Sequence, residues 1–283
     1  MVWTKLQKLA SLVTWEHTIF ALPFAYMGTF LAARGWPPGI KLFWITLAMV
    51  GARTAAMALN RLIDRHIDAR NPRTRGRHLP QGSLSRGEVL LLIIASVGLL
   101  VGSAWQLNPL CVKLLPLTLV LVLYPYTKRF TWGSHLVLGL ALSYAPLGGW
   151  VAITGSMHPA ALLLGLIVAL WVAGFDIIYG TLDYEHDRRE NLHSIPARFG
   201  IKKALLISRL FHAVVVILLL ALGIYLQLGH LYIVGVLVTA VLLHYEHSLV
   251  SPGNLTRVNL AFFSVNGVIS IVLFFATLLT VIN

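Results

Sequence analysis

The chain alternates long apolar runs with short polar connections. Nine runs reach or approach the roughly 18–20 residues that a helix needs to cross a bilayer. They fall at about 17–33, 41–63, 88–106, 108–127, 134–154, 159–183, 203–227, 230–249 and 258–281. None shows the period-two alternation of a half-buried strand. Within hydrocarbon a helix satisfies its own backbone groups, so the pattern predicts an all-α polytopic membrane protein with nine transmembrane helices in one bundle. Neither a linker nor a low-complexity tract interrupts it, so residues 1–283 read as a single membrane domain. Glu16 and His17 lead into the first run and Pro23 interrupts it, which suits a retained helix better than a cleaved leader.

Composition sharpens this reading. The chain is 58% hydrophobic and only 11% charged, which excludes an ordinary soluble domain. Its formal net charge of +12 would by itself suit nucleic acid. The placement of that charge argues against such a partner. Basic residues crowd the connections after the second, fourth and sixth runs: from Arg65 to Arg86, at Lys128–Arg129, and from Arg188 to Lys203. Lys5, Lys8 and Arg257 fall on that same side. The positive-inside rule then places the N-terminus in the cytoplasm, and the charge faces anionic membrane lipid. The lone Cys111 allows no internal disulfide.

Against this background the carboxylates stand out. Six of the ten acidic residues fall in two short runs that close the second and sixth apolar stretches. The first is Asn60-Arg-Leu-Ile-Asp64-Arg-His-Ile-Asp68, whose Asn60, Asp64 and Asp68 recur every fourth residue and form one helical stripe. The second is Asp176-Ile-Ile-Tyr179-Gly-Thr-Leu-Asp183-Tyr-Glu-His-Asp187. Its offsets of seven and four again select one face, with Tyr179 beside it. Carboxylates are costly near hydrocarbon and mark function there.

Two carboxylate stripes at one membrane face suit a hard divalent cation such as Mg2+, which completes its shell with water and phosphate oxygens. The basic connection after Asp68, broken by Asn71-Pro72, Gly76, Pro80 and Gly82, is long enough to act as a lid. Carboxylate, cation and apolar tunnel together point to a lipid diphosphate. Departure of the diphosphate from an allylic prenyl group would create a carbocation that aromatic faces can shelter. Tyr124-Pro-Tyr126-Thr-Lys128-Arg129 fits this scheme, Lys128 as a point charge and Arg129 as a fork toward diphosphate oxygens. Arg53, seven residues before Asn60 on the same face, either binds an acceptor carboxylate or pairs with an aspartate. Glu16, His17, His244, Glu246 and His247 also fall near the acidic face and are weaker candidates. Tyr144, Trp150, Trp171 and Phe175 either line the tunnel or pack between helices.

The motifs Asn-x3-Asp-x3-Asp at 60–68, Tyr-x3-Lys at 124–128 and Asp-x2-Tyr-x3-Asp-x3-Asp resemble, in this order, the UbiA superfamily of intramembrane prenyltransferases. The resemblance covers essentially the whole chain. It implies that Asn60, Asp64, Asp68, Asp183 and Asp187 hold Mg2+ and the diphosphate, with Asp176 completing the second stripe. It further implies that Arg73, Lys128 and Arg129 contact the diphosphate, that Tyr124 and Tyr179 sit near the allylic carbon, and that Arg53 faces an aromatic acceptor. Arg61, His186 and His193 stand where many members carry other residues. Glu16-His-Thr-Ile-Phe-Ala-Leu-Pro-Phe-Ala25 and His193-Ser-Ile-Pro-Ala-Arg-Phe-Gly200 are similar to a bacterial subgroup. That subgroup is 4-hydroxybenzoate polyprenyltransferase-like, and part of it resembles the prenyltransferase of the futalosine route to menaquinone.

The implied activity is Mg2+-dependent transfer of a polyprenyl group from its diphosphate to an aromatic hydroxy acid in quinone biosynthesis. The implied location is the bacterial inner membrane. Two other classes place carboxylates in helical membrane proteins. CDP-alcohol phosphotransferases pack their aspartates into one short stretch with Asp-Gly and Ala-Arg, a pattern missing from this sequence. Secondary transporters place them near the midplane beside broken helices.

Overall fold

The computed structural model describes residues 2–13 and 18–283, so Glu16 and His17 lie outside the described residues. A short helix, α1 (Val2–Leu12), precedes α2 (Thr18–Ala33), α3 (Gly39–Arg70), α4 (Arg86–Leu107), α5 (Pro109–Thr127) and α6 (Ser134–Thr154). After these come α7 (Pro159–Gly180), α8 (Ile195–Tyr225), α9 (His230–Ser248) and α10 (Leu260–Ile282). Eight helices among the described residues are long and apolar enough to cross a bilayer. The first of the nine expected spans falls on α2, whose apolar part, Leu22–Ala33, is shorter than a crossing needs, so the described residues give eight candidate spans. The all-helical, multi-pass architecture therefore stands.

Local signals set the boundaries that matter for function. The second span does not stop near 63. Nothing breaks the helix until Asn71, which is extended ahead of Pro72, and so Asp64 and Asp68 remain helical. At the corresponding end of α7 the chain tightens into a 3-10 turn at Thr181–Asp183 and then resumes as a short helix, Tyr184–Arg189. Ser194 caps Ala197 N and Pro196 occupies the first turn of a short helical piece, and Gly200, at φ 79°, breaks it from the long part of α8, which starts close to the expected 203. Ser85 and Glu88 form a capping box that starts α4. The connection from 71 to 85 is a run of turns anchored by Leu79 and Leu84 against Leu12, Ala58 and Val89.

The main core lies among α2, α6, α7, α8, α9 and α10, with Met27, Leu164, Val172, Leu219 and Ile269 fully or almost fully buried. Without a hydrophobic drive between helices in lipid, small residues that permit close backbone approach do much of the holding. Gly139 on α6 is such a point: a Cβ there would run into the Ala169 carbonyl of α7. Gly139→Val should therefore cost about 3 kcal/mol or more, since no flexible side chain is available to yield. Gly102→Ala, at a helical glycine with open space around it, should be neutral or stabilising by up to about 1 kcal/mol. Thermal unfolding of the two variants in detergent checks the pair, and equal midpoints would refute this account of the α6–α7 contact.

Candidate active site

The end of α3, the 71–85 connection, the end of α5 and the end of α7 meet around one cavity of about 500 Å3. Its mouth is lined by Asn60, Asp64, Asp68, Arg73, Lys128, Asp176, Asp183 and Asp187. Its depth is apolar, with Ile45 and Met49 on α3 and Leu100 and Leu107 on α4. Ile45 and Asp68 lie on the same continuous helix, roughly 35 Å apart at the α-helical rise of 1.5 Å per residue. The cavity thus joins a charged mouth to a greasy shaft running along most of the bundle.

Each carboxylate at the mouth already has a polar partner. Asp64 is 2% exposed and accepts Lys128 Nζ at 2.6 Å, Arg129 at 3.4 Å and the Asn60 amide at 3.4 Å. Asp68 pairs with Arg77 at 2.7 Å. Asp183 receives a two-pronged grip from Arg73, whose Nε lies 2.9 Å from Oδ1 while a terminal nitrogen takes Oδ2, and Asn71 adds a bond of 2.8 Å. Arg73 also donates to the Tyr179 hydroxyl at 2.8 Å. Burial works against the Arg73 charge, but the hydrogen bonds and field of Asp183 outweigh it and hold its pKa above the ordinary guanidinium value. Asp187 accepts the Ser194 hydroxyl at 2.8 Å, and Asp176 pairs with His135 Nδ1 at 2.6 Å.

All of the mouth residues expected from the sequence therefore come together, with Lys128 and Arg129 closing on Asp64 from α5 and Tyr124 in the same wall. Arg53 lines the cavity below them, and its Nε has no hydrogen-bond partner among the described residues. It pairs with no aspartate there. Tyr144, Trp171 and Phe175 line the cavity as well; Trp150 instead packs in the core, stacked on His158.

Four pairings are not legible in the sequence: His135 with Asp176, Asn71 with Asp183, Arg77 with Asp68 and Ser194 with Asp187. Arg77 and Asn71 were visible as parts of a basic, helix-breaking connection, but nothing in their spacing assigned them to Asp68 and Asp183. His135 sits early in an apolar helix without any companion in the sequence. Its cue is steric, since a Cβ on Gly180 would meet its ring.

The donors at the mouth are carboxylate and amide oxygens, the set that a hard cation takes up with phosphate oxygens. Their chemistry fits Mg2+. Asp64, Asp68 and Asp183 each have a cationic partner, and among the described residues no three His, Cys, Asp or Glu side chains form a ready-made metal cage. Acids and bases are thus interleaved at the mouth. A ligand carrying both divalent cation and polyanion would satisfy the two sets at once.

Comparison with known proteins follows the same line. The model of the UbiA prenyltransferase family matches residues 21–280. A 4-hydroxybenzoate octaprenyltransferase from Vibrio atlanticus is 34% identical over 222 residues, covering 77% of this chain and 77% of that protein. The apo structure of a UbiA homolog from Aeropyrum pernix K1 superposes with a TM-score of 0.85 at 36% identity, covering 93% of this chain and 98% of the other. A UbiA homolog from Archaeoglobus fulgidus, bound to GPP and Mg2+, shares the fold with a TM-score of 0.71 at 21% identity over 96% of this chain and 99% of its own.

Proposed function

The chain belongs to the UbiA prenyltransferase family, and from that membership we propose that it transfers a polyprenyl group from an isoprenoid diphosphate to an aromatic hydroxy acid. The acceptor is of the 4-hydroxybenzoate or dihydroxynaphthoate type, and the product serves ubiquinone or menaquinone synthesis. One observation carries this reading: two carboxylate runs and their interleaved cations converge at the mouth of an apolar shaft. The relatives named for 4-hydroxybenzoate support the acceptor class. The site faces the cytoplasm, on the side where the basic connections gather.

Asp64, Asp68, Asp183 and Asp187 would hold Mg2+, which, when bound, neutralises charge on the departing diphosphate. The chain's own side chains do the rest. Arg73, Lys128 and Arg129 exchange their carboxylate partners for diphosphate oxygens and orient the headgroup. Tyr124 and Tyr179 flank the allylic carbon and offer ring faces to developing positive charge. Asn60 and Asp176 border the same volume. The polyprenyl tail fills the shaft. Arg53 clamps the acceptor carboxylate in two parallel hydrogen bonds, which aims a ring carbon activated by the neighbouring hydroxyl at the allylic carbon.

Arg53→Lys keeps the charge but loses the fork. The apparent KM for 4-hydroxybenzoate should rise about 10- to 100-fold, the value of a charged hydrogen bond, while that for prenyl diphosphate stays within about two-fold. Measuring both constants, and repeating the first with a dihydroxynaphthoate, identifies the acceptor. Unchanged acceptor constants would remove Arg53 from the acceptor site. Wild-type membranes that release no diphosphate from labelled prenyl diphosphate, with solute flux or phosphoalcohol transfer in its place, would overturn the whole proposal in favour of a transporter or a CDP-alcohol type of enzyme.

A further inference from the structure

A second polar cluster lies away from the charged mouth, between α8, α9 and α10. Glu246 on α9 is 0% exposed, and its Oε1 accepts the Asn266 amide at 3.0 Å. His212 Nε2 donates to the Trp171 carbonyl at 3.2 Å, which leaves Nδ1 as the acceptor of His247 Nε2 at 3.0 Å. His212 Nδ1, used as that acceptor, lies 3.7 Å from Glu246 Oε2, and Oε2 has no hydrogen-bond partner among the described residues. A fully buried carboxyl with one anchor is an expensive feature for a lipid-facing bundle to keep.

What that anchor holds is a break in the next helix. α10 opens as a π-helix over Leu260–Val265, a form that recurs at functional sites. The Asn266 backbone N–H goes to the Phe263 carbonyl, and its side-chain amide reaches back to the carbonyls of Ala261 and Phe262 at 3.0 and 3.2 Å. Glu246 fixes the orientation of that amide by accepting from the same nitrogen. The turn so clamped carries Phe262, whose ring stacks on Tyr179 with centroids 4.2 Å apart and meets Phe175 edge-on at 5.2 Å. Tyr179 is the residue that Arg73 ties to Asp183. Phe262, Tyr179 and Phe175 all line the cavity.

We propose that Glu246 and Asn266 are positioning residues that clamp the π-helical turn and hold Phe262 against Tyr179 as an aromatic wall beside the reacting carbon. This rests on the prenyl-transfer reading above. The wall excludes water from the allylic centre. When the allylic carbon–oxygen bond breaks, its electron pair leaves with the diphosphate, and the carbon can bond either to the acceptor ring or to water. Bonding to the ring then releases the proton of the substituted ring carbon to the diphosphate. Capture by water gives a prenyl alcohol and passes a proton to the diphosphate. A loosened wall shifts this partition without weakening the grip on the diphosphate.

The experiment measures prenylated acceptor and prenyl alcohol from the same reaction with purified protein and a short labelled prenyl diphosphate. Glu246→Leu removes the side-chain acceptor for Asn266 and leaves its backbone acceptors. It should raise the alcohol-to-transfer ratio and lower kcat for transfer about 10-fold each, as a small misplacement at a reacting centre does. KM for prenyl diphosphate should stay within about two-fold. Glu246→Gln keeps an oxygen in place and should restore the wild-type ratio. Phe262→Leu leaves the polar cluster intact and should reproduce the Glu246→Leu shift, so it decides the matter if Glu246→Leu does not fold. A wild-type ratio in Phe262→Leu or in folded Glu246→Leu would overturn the proposal, as would equal losses in the Gln and Leu variants. A wild-type enzyme that forms neither product would instead defeat the prenyl-transfer reading itself.

Discussion

Asp183→Asn and Asp64→Asn should each lower prenyl transfer by at least about 100-fold, the scale of losing one preorganised charge contact to a transition state. The two arrive at this loss by different routes. Asp183 is gripped by Arg73 and Asn71, and Arg73 is tied in turn to Tyr179. The amide offers one carbonyl oxygen where the carboxylate offered two, so the Arg73 fork on Asp183 and the donor set for Mg2+ both weaken. Asp64 is more deeply buried, with Lys128 and Arg129 on its two oxygens. There the amide keeps the volume and removes the charge that attracts metal and cations alike. Both variants should remain folded, because the replacement is nearly isosteric. Initial rates of acceptor prenylation, alongside thermal unfolding in detergent, check the prediction. Turnover close to wild type in both variants would defeat the metal-and-diphosphate assignment.

Lys128→Ala should be damaging in two separable ways. In the structure Lys128 is the 2.6 Å partner of a carboxylate that is 2% exposed. Removing it leaves Asp64 with only the longer contacts of Arg129 and Asn60. Breaking a fully buried pair costs about 3–5 kcal/mol. Lys128 is itself partly exposed, so about 1–3 kcal/mol is the expected loss of stability. In the working enzyme the same ammonium is needed for the diphosphate, and affinity for prenyl diphosphate should fall about 10- to 100-fold, with acceptor affinity nearly unchanged. The double variant Asp64→Asn with Lys128→Ala separates these effects. It removes the buried charge along with its partner, so stability should return toward wild type while activity stays lost. Strictly additive stabilities would show that the pair is not coupled, and equal loss of both substrates' binding in Lys128→Ala would point to a folding defect.

Run length and residue spacing alone set the class of the molecule and pointed to the acidic residues at its charged end. Apolar runs of span length leave hydrocarbon only one open-ended solution, the self-satisfied helix, so the all-helical multi-pass bundle followed from periodicity alone. The four-residue spacing of Asn60, Asp64 and Asp68 fixed their shared face because helical geometry is local. Helix ends were read less well. α3 continues through Asp64 and Asp68 to Arg70, since polar residues at the edge of an apolar run do not end a helix unless a residue such as Asn71 before Pro72 breaks it.

Partnership was a matter for tertiary structure. Asp64 and Lys128, Asp68 and Arg77, Asp183 and Arg73, and Asp176 and His135 are joined by contacts between separate elements or through a turn-rich loop. No periodicity encodes which cation meets which acid. His135 became legible only once α6 and α7 packed closely enough at Gly180 for its ring to reach Asp176. The clamp of Glu246 on Asn266 was equally hidden. In sequence Glu246 is one acid between two histidines, and its burial depends on three helices closing around it. Residue type and spacing set which groups can react, because they act within a few turns of helix. The pairing of those groups depends on how the helices pack, because an ion pair needs its partners within about 4 Å in space, whatever their distance along the chain.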